Sequence, residues 1–170
     1  KTHARAFSSI ASKYPIDQVI IPGGLQKNDF TESFLQEVRN RKIRCIDWTE
    51  AGEYYLEALS MPCSLIGGTD RKLGVRLETD CGDLLILHSF TQKMMDEMLR
   101  KIPLRADILV LSPANVENVK LLEKALSTIA PNEIIFPSGG DYIASELFEI
   151  PTRNTYLEGD IVFYYTGKTV

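Results

Sequence analysis

The chain has 170 residues, enough for one domain with a sizeable core, and its 44% hydrophobic and 25% charged residues are those of a globular protein. A net charge of −4 argues against a domain that grips DNA by its own basic face, because such affinity comes from neutralising phosphates. The longest apolar runs, "LLIL" and "DILVL", fall far short of the roughly 20 residues a spanning helix needs, and no signal peptide is visible.

The chain opens Lys-Thr-His without an initiator Met, so it is read as a piece of a longer protein, and these absences describe the piece alone. The tightest basic cluster, "RNRKIR" from Arg39 to Arg44, falls at the end of an expected helix, where cations suit the helix dipole and water solvates them. The three cysteines, Cys45, Cys63 and Cys81, are widely spaced and form no C-x-x-C pair, so a structural zinc site is not indicated. Cys45, inside "IRCIDW", reads as a small core residue.

In chain order, "HARAFSSIASK" (3–13) places Ala6, Phe7, Ile10 and Ala11 on one helical face. A strand over 18–21 and a Gly-rich turn follow. In "TESFLQEVRNRK" Thr31 is the expected cap, with Phe34 where a capping-box acid belongs and Glu32 acidic in the first turn. Phe34, Leu35 and Val38 make the apolar face of that helix. A strand over 43–47 leads to the acidic turn "WTEAGE".

The middle of the chain changes character. "YYLEAL", "PCSLIGG", "KLGVRLET" and "DLLILHS" read as short strands, with "ETDCGD" a hairpin signal between the last two. Alternation then returns: a helix over 91–101, a strand over 107–111, a helix over 116–129 and a strand over 133–136. Two closing strands, "RNTYLEG" and "DIVFYYTG", are expected around Gly159. The order is βαβ, an antiparallel meander, βαβ and a terminal hairpin, which a mixed sheet covered by helices accommodates. "PGG" at 22–24 and "SGG" at 138–140 are not G-x-G-x-x-G, which leaves a nucleotide-binding module the weakest functional class.

Several residues invite a chemical reading. Ser112 stands at a strand end, but Pro113 after it has no N–H to help form an oxyanion hole, so Ser112 and Asn115 read as cap and turn residues. His88 ends a strand on the face of Leu84 and Ile86 and reads as a hydrogen-bonded strand-end residue. Asp141 follows two glycines, which is turn chemistry. The methionines of "MMDEM" recur at helical spacing, the mark of a core stripe. Tyr54 and Tyr55, like Tyr164 and Tyr165, are adjacent on strands, so one of each pair faces in and one faces out. An outward tyrosine can stack on bases or meet a protein partner, but no basic groove stands beside either pair.

Taken as a pattern over almost the whole chain, these segments resemble the soluble carboxyl-terminal, metallo-β-lactamase-like domain of the ComEC competence-protein family. "THARAFSSIASKYPIDQVIIPGG" is similar to the helix after that family's metal motif and the strand that follows. "ESFLQEVRNRKIRCIDWTEAGEYYLEAL" is similar to its next helix and strand, and "KLGVRLETDCGDLLILHS" to the strands that end in Thr-Gly-Asp. "ADILVLSPANVENVKLLEKALSTIAPNEIIFPSGG" is similar to the strand, Pro-His-His-Gly-Ser turn and helix, and "NTYLEGDIVFYYTGK" to the closing hairpin. The resemblance implies an α/β fold, an αββα sandwich of mixed sheets flanked by helices that lacks its first strands here, with residues 1–170 as one domain.

The family's functional residues do not carry over. An active member of the superfamily holds one or two metals through H-x-H-x-D-H, a further His, a bridging Asp and a final His, and generates a hydroxide nucleophile. Under the resemblance His3 takes the last His of the opening motif. Ser89 and Phe90 stand where Gly-Asp belongs, Ser112 to Val116 where Pro-His-His-Gly-Ser belongs, and Gly140 and Asp141 near Gly-His. Two imidazoles thereby become Pro113 and Ala114, and the bridging carboxylate becomes Phe90.

No catalytic, cofactor-binding or metal-binding residue is assigned on this reading, and no cofactor. The resemblance implies a catalytically silent domain of a bacterial plasma-membrane DNA-uptake channel, with other regions of that channel as partners and transient contact with single-stranded DNA. The rival reading is a metal-dependent phosphodiesterase whose missing ligands lie upstream of Lys1, with His3, His88 and Asp141 completing a remodelled site.

Overall fold

In the computed structural model, the residues described are 6–22, 28–56, 62–67, 73–79, 82–87, 91–111, 119–137 and 149–162. The chain divides into two compact units, Lys1–Glu50 and Ala51–Val170.

In the first unit, helix α1 (Phe7–Ala11) precedes strand β1 (Gln18–Pro22), helix α2 (Asp29–Asn40) and strand β2 (Arg44–Trp48). β1 and β2 pair in parallel, with Val19 opposite Cys45 and Ile21 opposite Asp47, and α2 is the crossover between them. Asn28, not Thr31, is the N-cap. Its side chain accepts from the N–H groups of Phe30 and Thr31, each at 3.1 Å, and the Thr31 hydroxyl accepts from the Asn28 N–H at 3.1 Å. Thr31 is thus the reciprocating member of a capping box that starts three residues earlier than its sequence position suggested.

At the other end of α2, the N–H of Lys42 donates to Arg39 O (2.9 Å) and that of Ile43 to Val38 O (3.0 Å). This is a Schellman closure, with Lys42 at φ 56° in the place that usually takes glycine. Val38 is buried, and the Phe34 ring meets that of Phe7 edge to face at 4.9 Å. Cys45 does not enter the core as its apolar surroundings implied. It alternates with Ile46 and lies exposed on the face it shares with Asp47.

Among the described residues of the second unit, seven strands form a mixed sheet in chain order: β3 (Gly52–Tyr55), β4 (Cys63–Gly67), β5 (Leu73–Thr79), β6 (Gly82–Leu87), β7 (Ile108–Leu111), β8 (Glu133–Phe136) and β9 (Thr152–Asn154). β3 to β6 are antiparallel; β6 to β9 are parallel. The change falls at β6 because only residues 80 and 81 separate it from β5, Thr79 facing Gly82, while helices α3 (Gln92–Leu99) and α4 (Val119–Ile129) lie in the connections from β6 to β7 and β7 to β8. The meander and the return to alternation are as the sequence pattern indicates.

Register decides which side chains meet the helices. Ile66, Leu85, Leu87, Leu109, Leu111, Ile134 and Phe136 share one face, and the core cluster joins them to Met94, Met95 and Met98 of α3 and to Leu121, Leu122, Ala125, Leu126 and Ile129 of α4. The three methionines are fully buried, so "MMDEM" is a core stripe. The opposite face carries a registered row, Leu65, Val75, Ile86, Val110 and Ile135, of which Ile135 is buried and the others are half-buried. An apolar row on each face is the usual condition of a sheet between two layers. At the start of the parallel strands the Asp107 carboxylate accepts from the Asp83 N–H (2.8 Å) and from Asn132 Nδ2 (3.0 Å). Gly82, at φ 123°, fits there because a Cβ would sit 2.6 Å from Asp107 Oδ2.

The terminal hairpin departs from expectation. β9 stops at Asn154, and Thr155–Glu158 turn into a short helix, α5. The Asn154 side chain accepts from the Tyr156 N–H at 2.8 Å, and Glu158 accepts from the Asn154 N–H at 3.0 Å, so local capping overrides the strand propensity of "TYL". Residues 160–162 lie in no strand, and the second expected arm falls mainly in 163–170, outside the described residues.

Replacing Lys42 by glycine should stabilise the first unit by about 1 kcal/mol, the cost of a left-handed non-glycine residue. Urea unfolding followed by fluorescence of Trp48, the chain's one tryptophan, measures it. Truncating Met98 to alanine should cost the second unit about 2–5 kcal/mol, read by circular dichroism during denaturation.

Candidate functional site

In a parallel α/β sheet, loops at the carboxyl ends of the strands are where ligands bind. Leu87 is registered with Leu111, Val110 with Ile135, and Phe136 with Asn154, so β6, β7, β8 and β9 all end along one side of the sheet. Leu87 and Leu111 are fully buried, and Phe136 and Asn154 nearly so. The backbone therefore brings together the points from which residues 88–90, 112–118 and 138–148 set out.

The candidate residues themselves, His88, Ser89, Phe90, Ser112, Pro113, Ala114, Asn115, Val116, Gly140 and Asp141, lie outside the described residues. So do His3, Cys81, Tyr164 and Tyr165, both glycine pairs of "PGG" and "SGG", and the Pro22 side chain. Among the described residues no group of three or more His, Cys, Asp or Glu side chains converges as metal donors would.

The described part of this end is a small polar assembly on β9 and α5. Arg153 Nε donates to Glu158 Oε2 at 2.9 Å and lies 3.6 Å from Glu133 Oε1. The hydrogen bond from Arg153, and after it the one from the Asn154 N–H, holds the Glu158 carboxyl below its usual range. A carboxylate so held is a poor proton acceptor, and its work here is to close the helical turn. Asn154 is buried with its side-chain oxygen committed to the Tyr156 N–H. Sequence reading missed this assembly; the available signal was Asn154 itself, since Asn is a favoured N-cap residue.

The remaining candidates separate cleanly. Cys63 is buried in β4, and burial pushes its thiol up, so it is an inert core residue. Tyr54 is half-buried and Tyr55 exposed, as alternation requires; the Tyr55 hydroxyl donates to Glu53 Oε2 at 3.1 Å, and this bond is the first cause of its raised pKa. In the basic cluster, Arg41 pairs with Glu37 at 3.1 Å and donates to the Ala11 carbonyl at 2.8 Å, while Arg39, Lys42 and Arg44 are exposed around the end of α2. That is the solvated helix end the sequence suggested.

No protein-family model matches the chain, and searches of curated proteins and of solved structures returned no match. Among the described residues no helix is long and apolar enough to cross a membrane.

Asn154→Ala should cost about 1 kcal/mol through loss of the cap, measured by denaturant unfolding. Because the folded pKa of Glu158 is lowered, its contribution to stability is present above the ordinary carboxylate range and is lost as pH falls through the folded value. Arg153→Met should move the Glu158 midpoint upward in an NMR titration; an unmoved midpoint would remove Arg153 as the cause.

Proposed function

We propose that the chain is a catalytically silent metallo-β-lactamase-like domain of a ComEC-like DNA-uptake channel, a soluble part of a bacterial plasma-membrane protein that makes contacts and does no hydrolysis. One observation carries the reading. The strand ends that lie side by side on the parallel half of the sheet run into "HSF" (88–90), "SPAN" (112–115) and "SGGD" (138–141), not into a set of metal ligands.

A hydrolytic metal needs three or four nitrogen or oxygen donors converging at roughly 2.0–2.2 Å. Phe90, Pro113 and Ala114 stand where the resemblance requires a carboxylate and two imidazoles, and their side chains offer no donor. The donor set does not fit the metal centre of the active relatives, so no hydrolytic step is assigned. The mixed sheet supports the fold part of the reading, since two helices cover one face and the other presents an apolar row suited to a further layer. The partners under this reading are other regions of the parent channel, with single-stranded DNA in transient contact.

Metal analysis of the purified chain, alongside assays on single-stranded DNA and on an activated phosphodiester with added zinc or manganese, tests the proposal. The expected result is substoichiometric metal and no metal-dependent turnover. Stoichiometric zinc or manganese, lost together with activity in His88→Ala or Asp141→Ala, would instead establish the phosphodiesterase.

A further inference from the structure

One buried polar cluster lies away from the strand ends, on the helix-covered face of the antiparallel half. Arg76 of β5 and Glu53 of β3 keep only 8% and 7% of their side chains exposed, and Arg76 Nη1 stands 3.4 Å from Glu53 Oε1. The Ser64 hydroxyl of β4 donates to the same carboxylate oxygen, and Tyr55 to the other. Arg76 Nη2 donates to the carbonyls of Pro103 (2.6 Å) and Arg105 (3.2 Å) in the connection between α3 and β7. That connection is also tied to the residue before β3, where Lys101 Nζ donates to Ala51 O at 2.7 Å. Arg76 Nε is buried with no hydrogen-bond partner among the described residues.

Such a cluster is a poor source of stability. Desolvating two charges offsets most of their attraction, and the orphaned Nε adds a further cost. Its value lies in what it forbids. β3 is four residues long, has β4 as its one sheet neighbour among the described residues, and reads Gly-Glu-Tyr-Tyr, with no aliphatic side chain to fix its alignment. A slip of two residues would leave each side chain on its own face but carry Glu53 about 6–7 Å along the strand. Both buried charges would then lose their partner.

We infer that Glu53, Ser64 and Arg76 form a register lock, holding edge strand β3 and the α3–β7 connection in a single alignment at some expense of stability. An edge strand held in one register is also a poorer template for unwanted pairing with another chain.

The test compares the full chain with Arg76→Met, Glu53→Met and the triple variant Glu53→Met/Ser64→Ala/Arg76→Met. Each single change should lower the unfolding midpoint, because it strands a buried charge, and the triple variant should recover the parental midpoint or exceed it. In the triple variant the Leu56 amide, which donates to Cys63 O at 2.8 Å, should exchange about tenfold faster relative to the Ile134 amide in the sheet interior. The cross-strand NMR contact between the registered residues Tyr54 and Leu65 should weaken or split. A triple variant with parental Leu56 protection and an unchanged Tyr54–Leu65 contact overturns the lock, as does Arg76→Met with an unshifted midpoint. If the triple variant does not fold, Glu53→Gln decides: faster Leu56 exchange supports the lock and parental exchange overturns it.

Discussion

Everything in the larger unit depends on covering one face of β6, β7 and β8. Parallel strands need burial on their faces, and here α3 and α4 supply it with three methionines and a stripe of leucine, alanine and isoleucine. The two helices are also the crossovers that make those strands parallel. Connection and burial are therefore the same physical event: neither helix can leave the sheet without exposing Leu85, Leu109 and Ile134 and unlinking the strand order. The antiparallel half needs no such crossovers, because antiparallel neighbours can be joined by stretches as short as 56–62, 68–72 and 80–81, and part of the same face carries Glu53, Ser64 and Arg76.

Where the sequence was legible, periodicity and burial agreed. The strand at 133–136 and the core methionines of "MMDEM" follow directly from apolar spacing, and "ETDCGD" joins two strands whose register closes at Thr79 and Gly82. It was illegible where a local hydrogen bond competed with a pattern. Asn28 out-caps Thr31 because its side chain reaches two N–H groups, and Asn154 with Glu158 bends "TYLE" into a helical turn despite its β-formers. Cys45 looked like core because its strand is apolar on paper, but alternation gave the inward positions to Ile46 and Trp48.

The Arg76 cluster shows a different limit. In "KLGVRLET" an arginine between valine and leucine reads as a solvated residue on the outer face of a half-buried strand. Its burial depends on Glu53, 23 positions earlier, and on two carbonyls 27 and 29 positions later. No local pattern contains that information, since it exists only once the meander is registered and the α3–β7 connection lies across it. The candidate site is the intermediate case: its residue types were readable at once, and register showed that three of its segments leave neighbouring strand ends.

This separation explains how a metallo-hydrolase scaffold could lose its chemistry under the proposed reading. The side chains that hold the sheet to its helices sit within β6, β7 and β8, whereas metal ligands would sit in the residues that follow Leu87, Leu111 and Phe136. Loops at strand ends exchange residues with little effect on the packed interior. Under that reading Phe90 would replace a bridging aspartate and Pro113 and Ala114 two histidines, all of them outside the strands whose side chains form the core cluster. Under the proposed reading, loss of catalysis and retention of the packed sheet are compatible, because the two demands fall on different residues.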